Sequence, residues 1–286
     1  MVPGVDRSLP AAGSGPEPPK RELSVLPSVP HRPPEVLAPR PPRQPAVQVA
    51  VERGVVLFDL DGTLLDDLAL ISDVAADVMH RSFGTPPEEA RIHYLATTGM
   101  PFEAQLAQLY PAAPAQDRLT ASRTFHQRKV TEAYARAKPF PEVPKMLKSL
   151  ATARWNLAIT TGAETEMADL LLEREGLRYW FDDVLGSAEG TKREHVAEYR
   201  RRYGEVRLFL VGDSRFDMEV AGSVAGVTAL GRASTLRGWA LSPTDLVHWG
   251  AAWADFSLGT LPEVLERLSR APAKRAPKRA RRRRAK

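Results

Sequence analysis

Val55-Val56-Leu57-Phe58-Asp59-Leu60-Asp61-Gly62-Thr63 is the stretch on which the reading of this chain turns. Four consecutive apolar residues without polar alternation are what a strand buried on both faces requires, and such strands belong to parallel sheets. In open parallel sheets the carboxyl ends of the strands line the ligand crevice, so two carboxylates placed there project into a site. A turn accounts for Asp61-Gly62. It does not account for Asp59, an acid set directly after a buried run, where an unpaired carboxylate is costly.

Working outward, similar apolar runs occur at Leu157 to Thr160, Arg207 to Val211 and Val227 to Leu230. Helical patterns follow at Glu164 to Glu175, Phe216 to Ala225 and Pro262 to Leu268. This alternation predicts βαβ units, hence an α/β fold with a Rossmann-like parallel sheet. Residues 68–137 break the alternation. They read as helix after helix, over Leu68 to Phe83, Glu88 to Thr97, Phe102 to Tyr110 and Arg118 to Ala137, and so predict a small all-helical insertion after the first strand. Pro139, Pro141 and Pro144 favour a stiff extended return into the core. The expected sheet core is thus residues 54–67 and 138–270.

A second acidic pair follows the third long run, in Val211-Gly212-Asp213-Ser214-Arg215-Phe216-Asp217. Asp213 and Asp217 stand four apart at a strand-to-helix junction, so both can lie on one side of the first helical turn. A helix N-terminus favours acids by a few tenths to about one kcal/mol, which would suffice for either alone. Beside Asp59 and Asp61, however, four acids converge on one sheet edge and need a counter-charge. A hard cation with oxygen ligands, Mg²⁺ first, answers that need. The second run ends in Thr160-Thr161-Gly162, which offers a hydroxyl and backbone N–H groups to the oxygens of a tetrahedral anion. Lys192, ahead of a helix expected from Glu194 to Arg202, is the candidate cation for the same edge.

Composition narrows the function classes. The 286 residues hold 40 Lys+Arg against 35 Asp+Glu, a net charge of +5, and no Cys. Absence of cysteine excludes disulfide frameworks, thiolate zinc sites and cysteine nucleophiles. No run approaches the roughly 20 apolar residues of a membrane helix. The first thirty residues lack an apolar signal region and carry Asp6, Glu17 and Glu22, so a cytoplasmic location is expected. The positive charge is unevenly placed. Residues 271–286 hold nine basic side chains and no acid, whereas residues 54–270 carry 24 basic against 30 acidic. Residues 1–53 contain 13 of the 25 prolines and read as a disordered arm, and residues 271–286 as a disordered basic tail. Nine clustered charges would suit weak, non-specific polyanion binding by that tail.

In its ordered motifs the chain resembles the haloacid dehalogenase-like superfamily, and in its layout the phosphoglycolate phosphatase group. The motifs are Asp59-x-Asp61-Gly62-Thr63, the strand ending in Thr161, Lys192, and Gly212-Asp213-Ser214-x-x-Asp217, with the helical insertion corresponding to the family's small cap. The resemblance implies that Asp59 is the nucleophile that becomes an aspartyl phosphate, and that Asp61 is the general acid and base. It implies Mg²⁺ held by the Asp59 carboxylate, the Asp61 backbone carbonyl and Asp213, with Asp217 bound through water or orienting the others. Thr161, Gly162 and Lys192 would grip the non-bridging phosphate oxygens. The acid at Asp61 favours phosphate esters over the dehalogenase branch. The phosphonate-cleaving branch replaces that acid and needs a cap lysine, for which residues 68–137 offer only Lys129. The expectation is therefore a Mg²⁺-dependent phosphatase for a small phosphorylated metabolite. A phosphosugar mutase of the same superfamily and a tail-directed polyanion-binding protein are the alternatives. Two departures from the usual pattern are Glu142, where relatives commonly carry Gly, and Arg193-Glu194-His195 after Lys192, where relatives carry a proline. Thr98-Gly99-Met100-Pro101 resembles a substrate-facing cap loop, and the six histidines read as structural or surface residues.

Overall fold

The computed structural model describes residues 53–236 and 239–270. The expected arm, except Arg53, and the expected basic tail lie outside the described residues.

The quoted run forms β1 (Val55–Phe58), each of whose residues is at most 1% exposed. After it come α1 (Leu68–Phe83), α2 (Pro87–Ala96), α3 (Phe102–Leu109) and α4 (Ala115–Arg128), then a π-helical turn at Lys129–Tyr134. The chain returns through α5 (Val143–Thr152), β2 (Asn156–Thr160), α6 (Thr165–Arg174), β3 (Asp183–Leu185), α7 (Lys192–Tyr203), β4 (Leu208–Gly212), α8 (Arg215–Ser223) and β5 (Val227–Arg232). A short hairpin, β6 (Ser234–Leu236) and β7 (Trp239–Leu241), precedes α9 (Pro243–His248), β8 (Trp253–Asp255) and α10 (Leu261–Arg270).

The main sheet runs β3-β2-β1-β4-β5-β8, with every pairing parallel. Pleating sends alternate residues of β1 to opposite faces. Val56 and Phe58 join the cluster built with α1, α5, α6 and α10, while Val55 and Leu57 join that built with α7, α8 and α9. Helices therefore cover both faces, as the unbroken apolar run required. Strand order reverses at β1, whose neighbours are β2 and β4, and this is the switch point at which such sheets open a crevice at their carboxyl ends.

The four main strands stand where the sequence placed them, to within two residues at each end. The three-residue strands β3 and β8, and the hairpin, were not anticipated, being too short to carry a periodic signal. The last predicted helix of residues 68–137 is two pieces, α4 and the π turn. Among the described residues, 68–134 contain no strand, and no helix is long and apolar enough to cross a membrane. The helical segment shares one hydrophobic cluster with the sheet, through residues such as Ile71, Tyr94, Phe102 and Phe125.

Two chain crossings connect that segment to the sheet, and they are hydrogen-bonded to each other. Asp66 N–H donates to Lys138 O at 2.8 Å and Phe140 N–H to Leu64 O at 3.0 Å. Glu142, the departure noted above, fixes the end of the return. Its Oε1 pairs with Arg232 Nη1 at 2.5 Å and accepts Leu258 N–H at 3.2 Å, while the guanidinium lies 3.3 Å from the Phe140 ring centroid. Arg232 is 5% exposed, so it needs that partner. Burial alone would raise the Glu142 carboxyl, but Arg232 outweighs it and holds the group below its ordinary value. Glu142→Ala is expected to destabilise the fold by about 2 kcal/mol, because it strands a buried guanidinium. Thermal melting should show a loss of roughly 4–8 °C; an unchanged melting temperature would refute the pairing as a stabilising contact.

Candidate active site

The turn after β1 sets the first two acids. Leu60 O accepts N–H groups from Leu64 and Leu65, and Gly62 adopts φ +72°, a left-handed conformation open to glycine. A side chain at Gly62 would also collide with Asp213, with Cβ only 2.5 Å from its Oδ2, so close approach of this turn to the end of β4 requires glycine twice over. Thr63 Oγ1 donates to Asp213 Oδ1 at 3.3 Å and ties the two strand ends together.

At the end of β4, Ser214 caps α8. Its hydroxyl accepts Asp217 N–H at 3.2 Å, and Asp217 Oδ2 accepts Ser214 N–H at 3.1 Å. Asp217 is fully buried, and Gly212 leaves the space it fills. Its other oxygen takes Lys192 Nζ at 2.6 Å, and the same ammonium reaches Asp59 Oδ1 at 2.8 Å. Lys192 arrives there because Thr191 caps α7 in a box with Glu194, which places the lysine on the first turn, aimed back at β1. His195, where the usual proline is missing, is buried one turn further on and pairs through Nδ1 with Thr160 Oγ1 at 2.9 Å.

Asp59, Asp213 and Asp217 each present an oxygen within 4.8 Å of the others, all buried, against the single ammonium of Lys192. Burial first, then the Asp217 and Asp61 charges, push the Asp59 carboxyl up to about 7 despite Lys192. Burial, Asp59 and Asp217 likewise drive Asp213 well above the carboxylate range. Burial acts against charge on Lys192, yet Asp217 and Asp59 outweigh it and hold the ammonium above its ordinary value. Three buried carboxylates with one cation are an oxygen donor set that a divalent hard ion fits. The Asp61 side chain stands apart from this cluster. Its Oδ2 accepts Lys129 Nζ at 2.5 Å and the Tyr134 hydroxyl at 2.9 Å, both from the π turn. Beneath it, Asp67 is fully buried and accepts Gly62 N–H at 3.0 Å. Burial and the Asp61 charge raise that carboxyl far above its ordinary value.

Asp59, Asp61, Thr161, Gly162 and Lys192 all line one cavity of about 700 Å³, closed on its far side by the helical segment. Thr161 Oγ1 accepts Ala163 N–H at 3.2 Å, which leaves its own O–H to donate. No atom lies within 4 Å of where a Gly162 side chain would begin, so the loop leaves open space on the cavity that Asp59 also lines. From the opposite side come Thr98, Gly99, Met100, Pro101 and His126. Gly99, at φ +89°, packs so tightly on Ser214 and Phe216 that no side chain would fit. All seven residues named from the sequence thus gather at one sheet edge. Lys129, Tyr134 and Asp67 were not named as site residues. The lone lysine of the insertion and the doubled acid Asp66-Asp67 just after the first motif were the available signals.

The haloacid dehalogenase-like hydrolase family profile matches residues 56–231. The chain is 30% identical over 220 residues to a "probable phosphatase", IndB, of Dickeya dadantii (strain 3937), spanning 74% of this chain and 91% of that protein. It is 26% identical over 189 residues to a phosphoglycolate phosphatase of Vibrio cholerae, across 62% of this chain and 83% of the relative. Among solved structures, a haloacid dehalogenase-like family hydrolase from Streptococcus pneumoniae aligns with a TM-score of 0.59 at 21% identity, over 76% of this chain and 98% of the other, a likeness of fold. A match that reaches from β1 to β5, with relatives whose lengths the chain nearly spans, means that this chain belongs to the haloacid dehalogenase-like hydrolase family, in its phosphoglycolate phosphatase-like group.

Proposed function

We propose that the protein is a Mg²⁺-dependent phosphatase that hydrolyses a small phosphorylated metabolite, of the phosphoglycolate or sugar-phosphate kind, through an aspartyl phosphate on Asp59. The observation that carries this reading is the pairing of Asp59 with Lys192 in a cavity between the sheet edge and the helical segment whose size suits a small ester. A carboxylate oxygen of Asp59 attacks phosphorus as the ester P–O bond breaks, and Asp61 gives its proton to the departing alkoxide. Asp61 then takes a proton from the water that attacks phosphorus, breaking the bond to Asp59 and releasing phosphate. Lys192, the Thr161 hydroxyl and the N–H groups around Gly162 neutralise the non-bridging oxygens throughout. Residues 68–137, as a cap, exclude bulk water and large substrates. Asp59, Asp213 and the Asp61 backbone carbonyl would hold Mg²⁺, with Asp217 orienting Lys192; the ion would supply charge that lets an anionic nucleophile meet an anionic phosphate.

With Mg²⁺ present, the protein is expected to release phosphate from phosphoglycolate or from a member of a sugar-phosphate panel, and Asp59→Asn to lower kcat at least 10³-fold, as expected for loss of the nucleophile. Equal turnover by Asp59→Asn would overturn the reading. Transfer of phosphate between positions of a sugar without net release would mark a mutase instead.

Metal linkage gives a second test. A carboxyl whose folded value is raised, as for Asp59 from 3.8 to about 7, favours the fold at low pH, and that stability is lost as pH rises between those values. Mg²⁺ competes with those protons, so the rise in melting temperature on adding Mg²⁺ to chelator-treated protein should grow from pH 5 to pH 8. A shift that is absent, or constant with pH, would argue against a carboxylate-held cation.

A further inference from the structure

The contacts of Asp61 raise a question that the reaction scheme leaves open, namely what fixes the acid–base side chain. Its two donors lie 68 and 73 residues away in the chain, and both come from the π-helical turn Lys129–Tyr134. They are the first and last residues of that turn. In an α-helix, at 3.6 residues per turn, residues five apart point about 140° away from each other. A π turn closes its hydrogen bond from i to i+5 and so brings such a pair onto nearly one face. The local change of register is therefore what allows an ammonium and a phenol five residues apart to reach one carboxylate oxygen. The Lys129 ammonium also sits 4.6 Å from the Tyr134 ring centroid, and the two side chains brace each other.

The turn itself is anchored at both ends. Arg128, just before it, pairs with Asp77 of α1 and with Glu132. At the other end, Arg174 of α6 donates to Tyr134 O and Ala137 O, each at 2.7 Å. Tyr134 is 3% exposed and the Lys129 side chain 12%. Two donors so held can fix the rotamer of a carboxylate. We infer that Lys129 and Tyr134 are positioning residues for Asp61, and that the π-helical turn couples docking of the helical segment to the orientation of the acid–base group. This rests on the acid–base role of Asp61 proposed above.

Leaving-group dependence separates this role from simpler ones. An alkyl phosphate needs its leaving oxygen protonated, whereas 4-nitrophenolate departs without help. In the full-length protein with Mg²⁺, Tyr134→Phe and Lys129→Met are expected to lower kcat/KM for an alkyl phosphate about 10- to 100-fold, a quantity that reports cleavage of the ester and not the later hydrolysis of the aspartyl phosphate. For 4-nitrophenyl phosphate the fall in kcat/KM should stay below about threefold, and Lys129→Arg should recover part of the alkyl-ester loss. Equal losses of kcat/KM on both esters, or no loss on either, would overturn the inference while the Asp59→Asn control still supports the phosphatase. A wild type inert toward both esters would overturn the underlying reading, and this inference with it. Hydrogen exchange supplies a readout free of turnover. Asp61→Ala should speed exchange across residues 129–134 several-fold and leave α7 unchanged, whereas unaltered exchange in the turn would refute the coupling.

Discussion

A buried ammonium shared by two carboxylates holds the site together. Lys192 touches Asp59 at the end of β1 and Asp217 on the first turn of α8, and these elements follow two neighbouring strands of the sheet. Without it, three nearly buried carboxylates would face each other across less than 4.8 Å with no counter-charge, a costly arrangement. The capping of α7 by Thr191 and of α8 by Ser214 serves this contact, since each cap sets the angle at which its helix delivers a charged side chain. Asp217 spends one oxygen on the cap and the other on the lysine, so both of its oxygens are committed. Asp59 and Asp213 are left as the acids with oxygen atoms to offer elsewhere.

The arrangement divides labour between the two parts of the chain. The sheet edge supplies Asp59, Lys192 and the open loop at Thr161 and Gly162, all held by parallel strands and helix caps. The helical segment supplies Lys129, Tyr134 and the loop around Gly99, which reach across the cavity to Asp61, Ser214 and Phe216. Asp61 is where the two meet, since it is carried by the sheet and held by the helices.

Much of this was legible in the sequence because its signals are local. A four-residue apolar run followed by Asp-x-Asp-Gly predicts a strand, its burial on both faces and a turn in one phrase, and Gly212-Asp213 with Asp217 does the same for β4 and α8. Lys192 emerged from its place ahead of a helix. What escaped was either short or distant. The three residues of β3 and of β8 take their strand state from the neighbours they pair with, which single-sequence periodicity does not report. Lys129 stands out only as the lone lysine of a predicted helix and Tyr134 not at all, because a π turn has no sequence signature of its own and their partner is more than sixty residues away. Glu142 stood out only as a departure, and its meaning depended on Arg232, 90 residues further along.

The pairing of the two crossings, Leu64 to Asp66 against Lys138 to Phe140, carries a mechanical consequence. A segment attached by two independent tethers could tumble, tilt or slide over the sheet edge. Two crossings bonded side by side, with the second clipped by Glu142 to Arg232, tie the root of the segment to the sheet at one place. The reach of Lys129 and Tyr134 to one oxygen of Asp61 is therefore set from a fixed root and not from two loose ends.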